Sequence, residues 1–114
     1  MRVLVTGGRD YRDEQRVYEV LEDLWEQTRF TLLIQGGASG ADTLAAGWAM
    51  NKVDVHSVTV YAKWNLEGRA AGHLRNQAML KLGPDQVVAF PGGRGTAHMV
   101  RLAKAAGVPV LEVT

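Results

Sequence analysis

The stretch VVAFPGGRGTAHM, residues 87–99, contains three local patterns in succession. An apolar run comes first, a turn rich in glycine and proline follows, and the last part has helical periodicity. This order is typical of a βα unit in a parallel sheet. Two further glycine turns, TGGRD (6–10) and QGGASGAD (35–42), also follow apolar runs. The pattern therefore predicts a repeated βα architecture.

Five short apolar runs are predicted to be strands. They are Val3–Val5, Thr31–Ile34, Val58–Tyr61, Val87–Phe90 and Val108–Val113. Their residues are almost continuously apolar rather than alternating, as in strands that are buried on both faces.

Four intervening segments have the apolar spacing of amphipathic helices. The expected buried stripes are Val17, Val20, Leu21, Leu24 and Trp25; Ala41, Leu44, Ala45, Trp48 and Ala49; Ala71, Leu74, Ala78 and Leu82; and Met99, Leu102, Ala103 and Ala106. Gly83-Pro84 and Gly107 are suitable residues to end the last two helices.

The strict alternation predicts an α/β fold, a Rossmann-like three-layer α/β/α sandwich formed by residues 1–114 as a single domain. We expect five parallel strands in the order 3-2-1-4-5. This order changes direction between strands 1 and 4, and ligands bind at the carboxyl ends of the strands beside such a switch point. All three glycine turns would lie at that edge.

The composition limits the possible functions. The net charge is +1 and cysteine is absent, which excludes disulfides and thiolate metal sites. No apolar run approaches the ~18 residues of a membrane span, and the amino-terminal run is too short for a signal peptide. We therefore expect a cytoplasmic protein with no membrane partner. The three histidines lack a metal-binding spacing, so neither a metal nor a cofactor is expected.

Glycine turns that run into helices are suited to binding anions, because glycine leaves backbone N–H groups accessible at the positive end of the helix dipole. Arg69, Arg75 and Asn76, in GRAAGHLRN (68–76), are expected at the same edge. The candidate ligand- or phosphate-binding residues are Gly7, Gly8, Arg9, Asp10, Gly36, Gly37, Gly40, Asp42, Arg69, Arg75, Asn76, Pro91, Gly92, Gly93, Arg94, Gly95 and Thr96.

Each of these features has a simpler explanation. The glycines are also common in tight βα turns that bind nothing, and Arg75 could be a solvated surface side chain. Trp64 follows the third strand at the same edge, where it either stacks on a base or packs against the protein.

The motifs VLVTGGRD, QGGASGADTLA, GRAAGHLRNQAML and VVAFPGGRGTAHMV together resemble the SLOG superfamily of Rossmann-like proteins, in particular its YspA-type group from bacteria and phages. The resemblance covers essentially the whole chain. It implies a nucleotide-related ligand and, from the LOG relatives, a homodimer.

LOG enzymes of this superfamily cleave the N-glycosidic bond of modified adenosine monophosphates, and their signature is P-G-G-x-G-T-x-x-E. Pro91, Gly92, Gly93, Gly95 and Thr96 match its phosphate-binding part, and Arg75 falls where the catalytic arginine would be. Met99 occupies the position of the signature glutamate. The resemblance therefore favours ligand binding over hydrolysis.

Three functional hypotheses follow. The first is a sensor or binding module for a nucleotide or nucleotide-derived small molecule. The second is an N-glycosidase (phosphoribohydrolase) acting on nucleoside monophosphates, with Arg75 and Asp42 as catalytic residues. The third is a DNA-processing accessory protein, but a nearly neutral chain without an evident aromatic-lined groove gives a nucleic acid partner little support.

Overall fold

The computed structural model describes residues 1–114 and contains one all-parallel sheet. The strands are β1 (Arg2–Thr6), β2 (Leu32–Gln35), β3 (His56–Thr59), β4 (Gln86–Ala89) and β5 (Val110–Glu112). Their order is β3-β2-β1-β4-β5, which confirms the predicted topology and its switch point between β1 and β4.

Helices cover both faces of the sheet. They are α1 (Glu14–Thr28), α2 (Ala41–Met50), α3 (Trp64–Glu67), α4 (Ala71–Lys81) and α5 (Arg94–Ala105). The short helix α3 and a 3₁₀ turn over Gly68–Ala70 were not expected from the sequence. They form the connection that leads from β3 into α4. None of the helices is long and apolar enough to cross a membrane.

The central strands divide the core into two parts. Val3 and Val5 of β1 pack in one cluster with α1 and α2, whereas Leu4 packs in a second cluster that includes residues of α4 and α5. Consecutive side chains of a strand point to opposite faces. Because both faces are covered by helices, these consecutive residues are all buried, as predicted for the central strands.

The ends of α1 follow from local backbone chemistry. The Asp13 carboxylate accepts a hydrogen bond from the backbone N–H of Arg16 at 3.1 Å, which caps the first turn. Arg29 adopts a left-handed conformation with φ 52° after the last turn, and its N–H donates to the Trp25 carbonyl. These two residues set where the helix begins and ends.

The outer strands differ from the prediction. β3 lies two residues earlier than expected, and both β3 and β5 are largely exposed, so neither is buried on both faces. They are the edges of the sheet, where helices cover them incompletely. An apolar run at an edge indicates a strand but does not determine its burial.

The buried stripe predicted for the α4 segment was correct at Ala71 and wrong at Leu74, Ala78 and Leu82. Leu74 and Leu82 are 40% and 37% exposed, while the buried residues of this helix are Ala71, Asn76 and Met79. The helix is turned so that polar side chains face the sheet edge. Apolar periodicity alone could not show this orientation, because it assumes that the polar face of a helix meets water.

We expect Met99→Ala to lower the free energy of unfolding by about 2–5 kcal/mol, because the Met99 side chain is fully buried between α5 and the sheet. Met50→Ala is the matched control, since Met50 is 85% exposed at the end of α2, and it should change stability little. Urea denaturation of both variants tests this, and equal effects would contradict the described packing.

Candidate functional site

The three glycine turns are bonded to one another at the carboxyl edge of the sheet. The N–H of Gly8, after β1, donates to the carbonyl of Pro91, after β4, at 2.9 Å. The Gly8 carbonyl accepts from the N–H of Ala41, at the start of α2, at 3.1 Å. The turns that follow β1, β2 and β4 therefore form one connected surface.

Glycine is required where these turns touch. A Cβ at Gly92 would lie 2.7 Å from the backbone nitrogen of Gly8, and one at Gly8 would lie 2.9 Å from the Pro91 carbonyl oxygen. Gly93 and Gly95 differ, because a Cβ at either position would meet no atom within 4 Å. The first pair of glycines permits the turns to pack, whereas the second pair faces open space.

A cavity of about 460 Å³ opens at this edge. Four arginines line it against a single carboxylate, that of Asp42. Its lining residues are Thr6, Gly7, Gly8, Arg9, Ala38, Asp42, Trp64, Arg69, Gly72, His73, Arg75, Asn76, Met79, Gly93, Arg94, Gly95 and Thr96. The excess of cationic side chains makes the cavity suited to an anionic ligand.

The first turn of α5 faces this cavity. Gly93 precedes the helix, and no side chain caps its amino terminus. The N–H groups of the first helical turn have no partner within the helix, and the helix dipole places partial positive charge there. Gly93, Arg94, Gly95 and Thr96 line the cavity, so these donors lie at its wall. The arrangement can hold a phosphate or a carboxylate.

Asp42 is a buried carboxylate at the wall of the cavity, with 6% of its surface exposed. Its Oδ2 atom accepts hydrogen bonds from the N–H groups of Gly36 and Ala38, each at 3.2 Å. Burial raises the pKa of Asp42 above 3.8, although these backbone bonds and the nearby Arg75 and Arg9 charges act in the opposite direction. Both of these hydrogen bonds are made to the Oδ2 atom.

Arg75, on α4, is held beside this carboxylate. Its Nη1 donates to the carbonyl of Gly36 at 2.6 Å, and its Nε is buried without a partner. Burial lowers the pKa of the guanidinium, and the charge of Asp42 partly offsets that effect. Arg75 is therefore half-buried and bonded to the turn after β2, rather than solvated on the helix surface.

Asn76 connects α4 to α5. Its Nδ2 atom donates to the Gly95 carbonyl at 3.1 Å and lies 3.0 Å from Nδ1 of His98. His98 stacks on His73 with ring centroids 3.9 Å apart. Burial, followed by the charges of His73 and Arg101, lowers the pKa of His98. A neutral His98 can accept the second Asn76 proton at Nδ1.

The remaining candidates lie around this cavity rather than in its wall. Gly36 and Gly37 line a second cavity of about 300 Å³ toward β3, and Asp10 and Gly40 line another recess beside α2. Pro91 and Gly92 face a groove on the β5 side. The main cavity thus brings together Gly7, Gly8, Arg9, Asp42, Arg69, Arg75, Asn76, Gly93, Arg94, Gly95 and Thr96.

Several lining residues were absent from the candidate set: Thr6, Ala38, Trp64, Gly72, His73 and Met79. Trp64, Gly72 and His73 belong to α3 and α4, whose connection runs beside the cavity. Of these residues, only Trp64 could have been identified from the sequence, by its position after β3.

Met99 does not line the cavity and lies in the core. The position that carries the glutamate in the LOG signature therefore points away from the site.

The raised pKa of Asp42 predicts a pH-dependent stability. As the pH rises from 3.8 through this raised pKa, the unfolded chain releases its proton first, so the folded state loses stability relative to the unfolded state. Asp42→Asn keeps an oxygen for the Gly36 and Ala38 donors and lacks this titration. Urea unfolding should therefore show that the free energy of unfolding of Asp42→Asn increases relative to that of wild type as the pH rises from 4 to 7. A difference between the two proteins that does not change with pH would contradict this prediction.

The chain has a phage homologue of similar length. It is 40% identical over 118 aligned residues to the "Gene 61 protein" of Mycobacterium phage D29, and the alignment covers 97% of this chain and 94% of that protein. No solved structure matches it significantly. The family described as "YspA, cpYpsA-related SLOG family" matches residues 1–66, which is more than half of the chain. The chain therefore belongs to the YspA, cpYpsA-related SLOG family.

Proposed function

We propose that this protein binds a nucleotide or nucleotide-derived small molecule, with a phosphate of the ligand at the amino terminus of α5. The observation that carries the proposal is an uncapped helix amino terminus that opens into a cavity lined by four arginines. Backbone N–H groups would hold the phosphate, and arginine side chains would add charge-assisted hydrogen bonds.

Different residues of the cavity would contact different parts of the ligand. Thr96 lies in the first turn of α5 and can donate its hydroxyl to an anion. Arg94 and Arg69 are exposed at the cavity mouth, where they can attract and pair with the ligand. Asp42 lines the same cavity, and a carboxylate there can accept hydrogen bonds from the hydroxyl groups of a ribose. The family assignment also supports a nucleotide-related ligand.

Gly95→Ala tests the phosphate site directly. Its Cβ would meet no protein atom within 4 Å, and alanine is favoured over glycine within a helix, so stability should be kept or rise by about 0.5–1 kcal/mol. The added methyl group stands where a phosphate would approach the first helical turn. Calorimetric titration with adenosine monophosphate (AMP) should therefore show binding weakened by about tenfold or more.

Gly47→Ala, on α2 and outside the cavity, is the matched control and should bind AMP like wild type. Gly92→Ala tests a glycine that permits the turns to pack. Its Cβ would meet Gly8 and Thr96, so this variant should have a lower free energy of unfolding. Unchanged AMP affinity in Gly95→Ala would overturn the phosphate site.

A second candidate function, an N-glycosidase, is favoured by one observation. A buried carboxyl with a raised pKa lies in the cavity beside Arg75. Such a group can donate its proton to the base as the N-glycosidic bond breaks, and the resulting carboxylate can take back a proton from the water that adds to the anomeric carbon. The residue at the position of the signature glutamate is Met99, however, which is buried in the core and has no carboxylate.

We expect AMP to be recovered essentially intact after prolonged incubation with the protein, as measured by chromatographic detection of free adenine. Release of adenine by wild type that is lost in Asp42→Asn would instead establish the hydrolase. Release that persists in the variant would indicate a contaminating activity.

A further inference from the structure

We propose that Trp64 and Tyr61 form a stacking subsite for the base of the ligand, so that the class of ligand is a nucleoside phosphate rather than a sugar phosphate. This inference rests on the proposed function, because it adds an aromatic subsite to the phosphate site at α5.

The two rings are exposed, and neither of them fills the core. Tyr61 and Trp64 are 71% and 48% exposed, whereas Trp48 is 3% exposed in the core. Both lie in the connection between β3 and α4, at the carboxyl edge of the sheet. A large exposed aromatic ring gains much stabilisation when a second flat apolar surface covers it.

Both rings are held in position without being buried. A Cβ at Gly37, whose φ is 72°, would come within 2.6 Å of the Tyr61 ring, so the ring rests against the backbone of this glycine. A Cβ at Gly72 would lie 3.4 Å from the Trp64 ring. The Arg9 guanidinium lies 5.4 Å from the centre of the Trp64 ring. Such support reduces the conformational freedom that a ligand would otherwise have to restrict.

The aromatic subsite is continuous with the phosphate site. Tyr61 and Trp64 line the second cavity of about 300 Å³, and Trp64 also lines the main cavity. Arg9 and Arg75 contribute to both cavities as well. A ligand can therefore extend from the two rings, past Arg75 and Asp42, to the first turn of α5. This sequence of an aromatic, a hydroxyl-binding and an anion-binding region matches the base, ribose and phosphate of a nucleotide.

The discriminating experiment compares AMP with ribose 5-phosphate by calorimetric titration against wild type, Trp64→Ala, Tyr61→Ala and Leu66→Ala. Leu66 is the matched control, because it is 83% exposed on α3 and lines neither cavity. Wild type should bind AMP more tightly than ribose 5-phosphate. Trp64→Ala should weaken the binding of AMP by roughly tenfold and Tyr61→Ala by a smaller factor, and both variants should bind ribose 5-phosphate as wild type does.

A second readout is independent of affinity. AMP should quench part of the tryptophan fluorescence of wild type, and Trp64→Phe should remove that part while retaining binding. Leu66→Ala should match wild type in both measurements.

The outcomes separate this inference from the proposed function. Equal binding of AMP and ribose 5-phosphate by wild type, or equal losses of both in Trp64→Ala, would overturn the aromatic subsite and leave the phosphate site standing. Failure of both compounds to bind wild type would overturn both. Displacement of AMP by a single-stranded oligonucleotide with blocked ends would overturn the small-molecule assignment, because stacking rings and arginines also hold unpaired bases.

Discussion

The close approach of the turns after β1 and β4 is the constraint on which the site depends. It is made by the hydrogen bond from Gly8 to Pro91 and by the absence of side chains at Gly8 and Gly92. With these turns in contact, the first turn of α5 lies beside the turn that leads toward α1. Gly93 and Gly95, which follow this contact in the chain, face open space.

Much of the fold could be predicted from the sequence because the central strands are apolar for a simple reason: both of their faces are buried. β1, β2 and β4 have this property, and right-handed βα connections place the helices on both faces of a sheet whose strand order changes direction. β3 and β5 are edge strands whose limits depend on neighbours, and their predicted bounds were accordingly less accurate. The orientation of α4 could not be predicted, because Asn76 is a polar residue that is buried through its hydrogen bonds to α5.

The candidate site shows the same division. Glycine turns at the switch point could be located from sequence, because topology brings the carboxyl ends of neighbouring strands together. The roles of single residues could not. Asp42 and Arg75 were candidates for ligand contact, and the structure also gives them bonds to the turn after β2. Gly36 lies against both side chains, so that turn, the carboxylate and the guanidinium pack together as one unit.

The exposed connection between β3 and α4 has a consequence for ligand exchange. Residues of α3 and the following 3₁₀ turn contribute no buried side chain, whereas β1 is buried along most of its length. Segments with few buried contacts open at a small fraction of the free energy of global unfolding. The segment that carries Trp64 is therefore expected to open more readily than the sheet, and the Trp64 ring is in its supported position only while this segment is closed. Entry and departure of the proposed ligand would thereby be separated from the stability of the fold, and its residence time would be a property of this one connection.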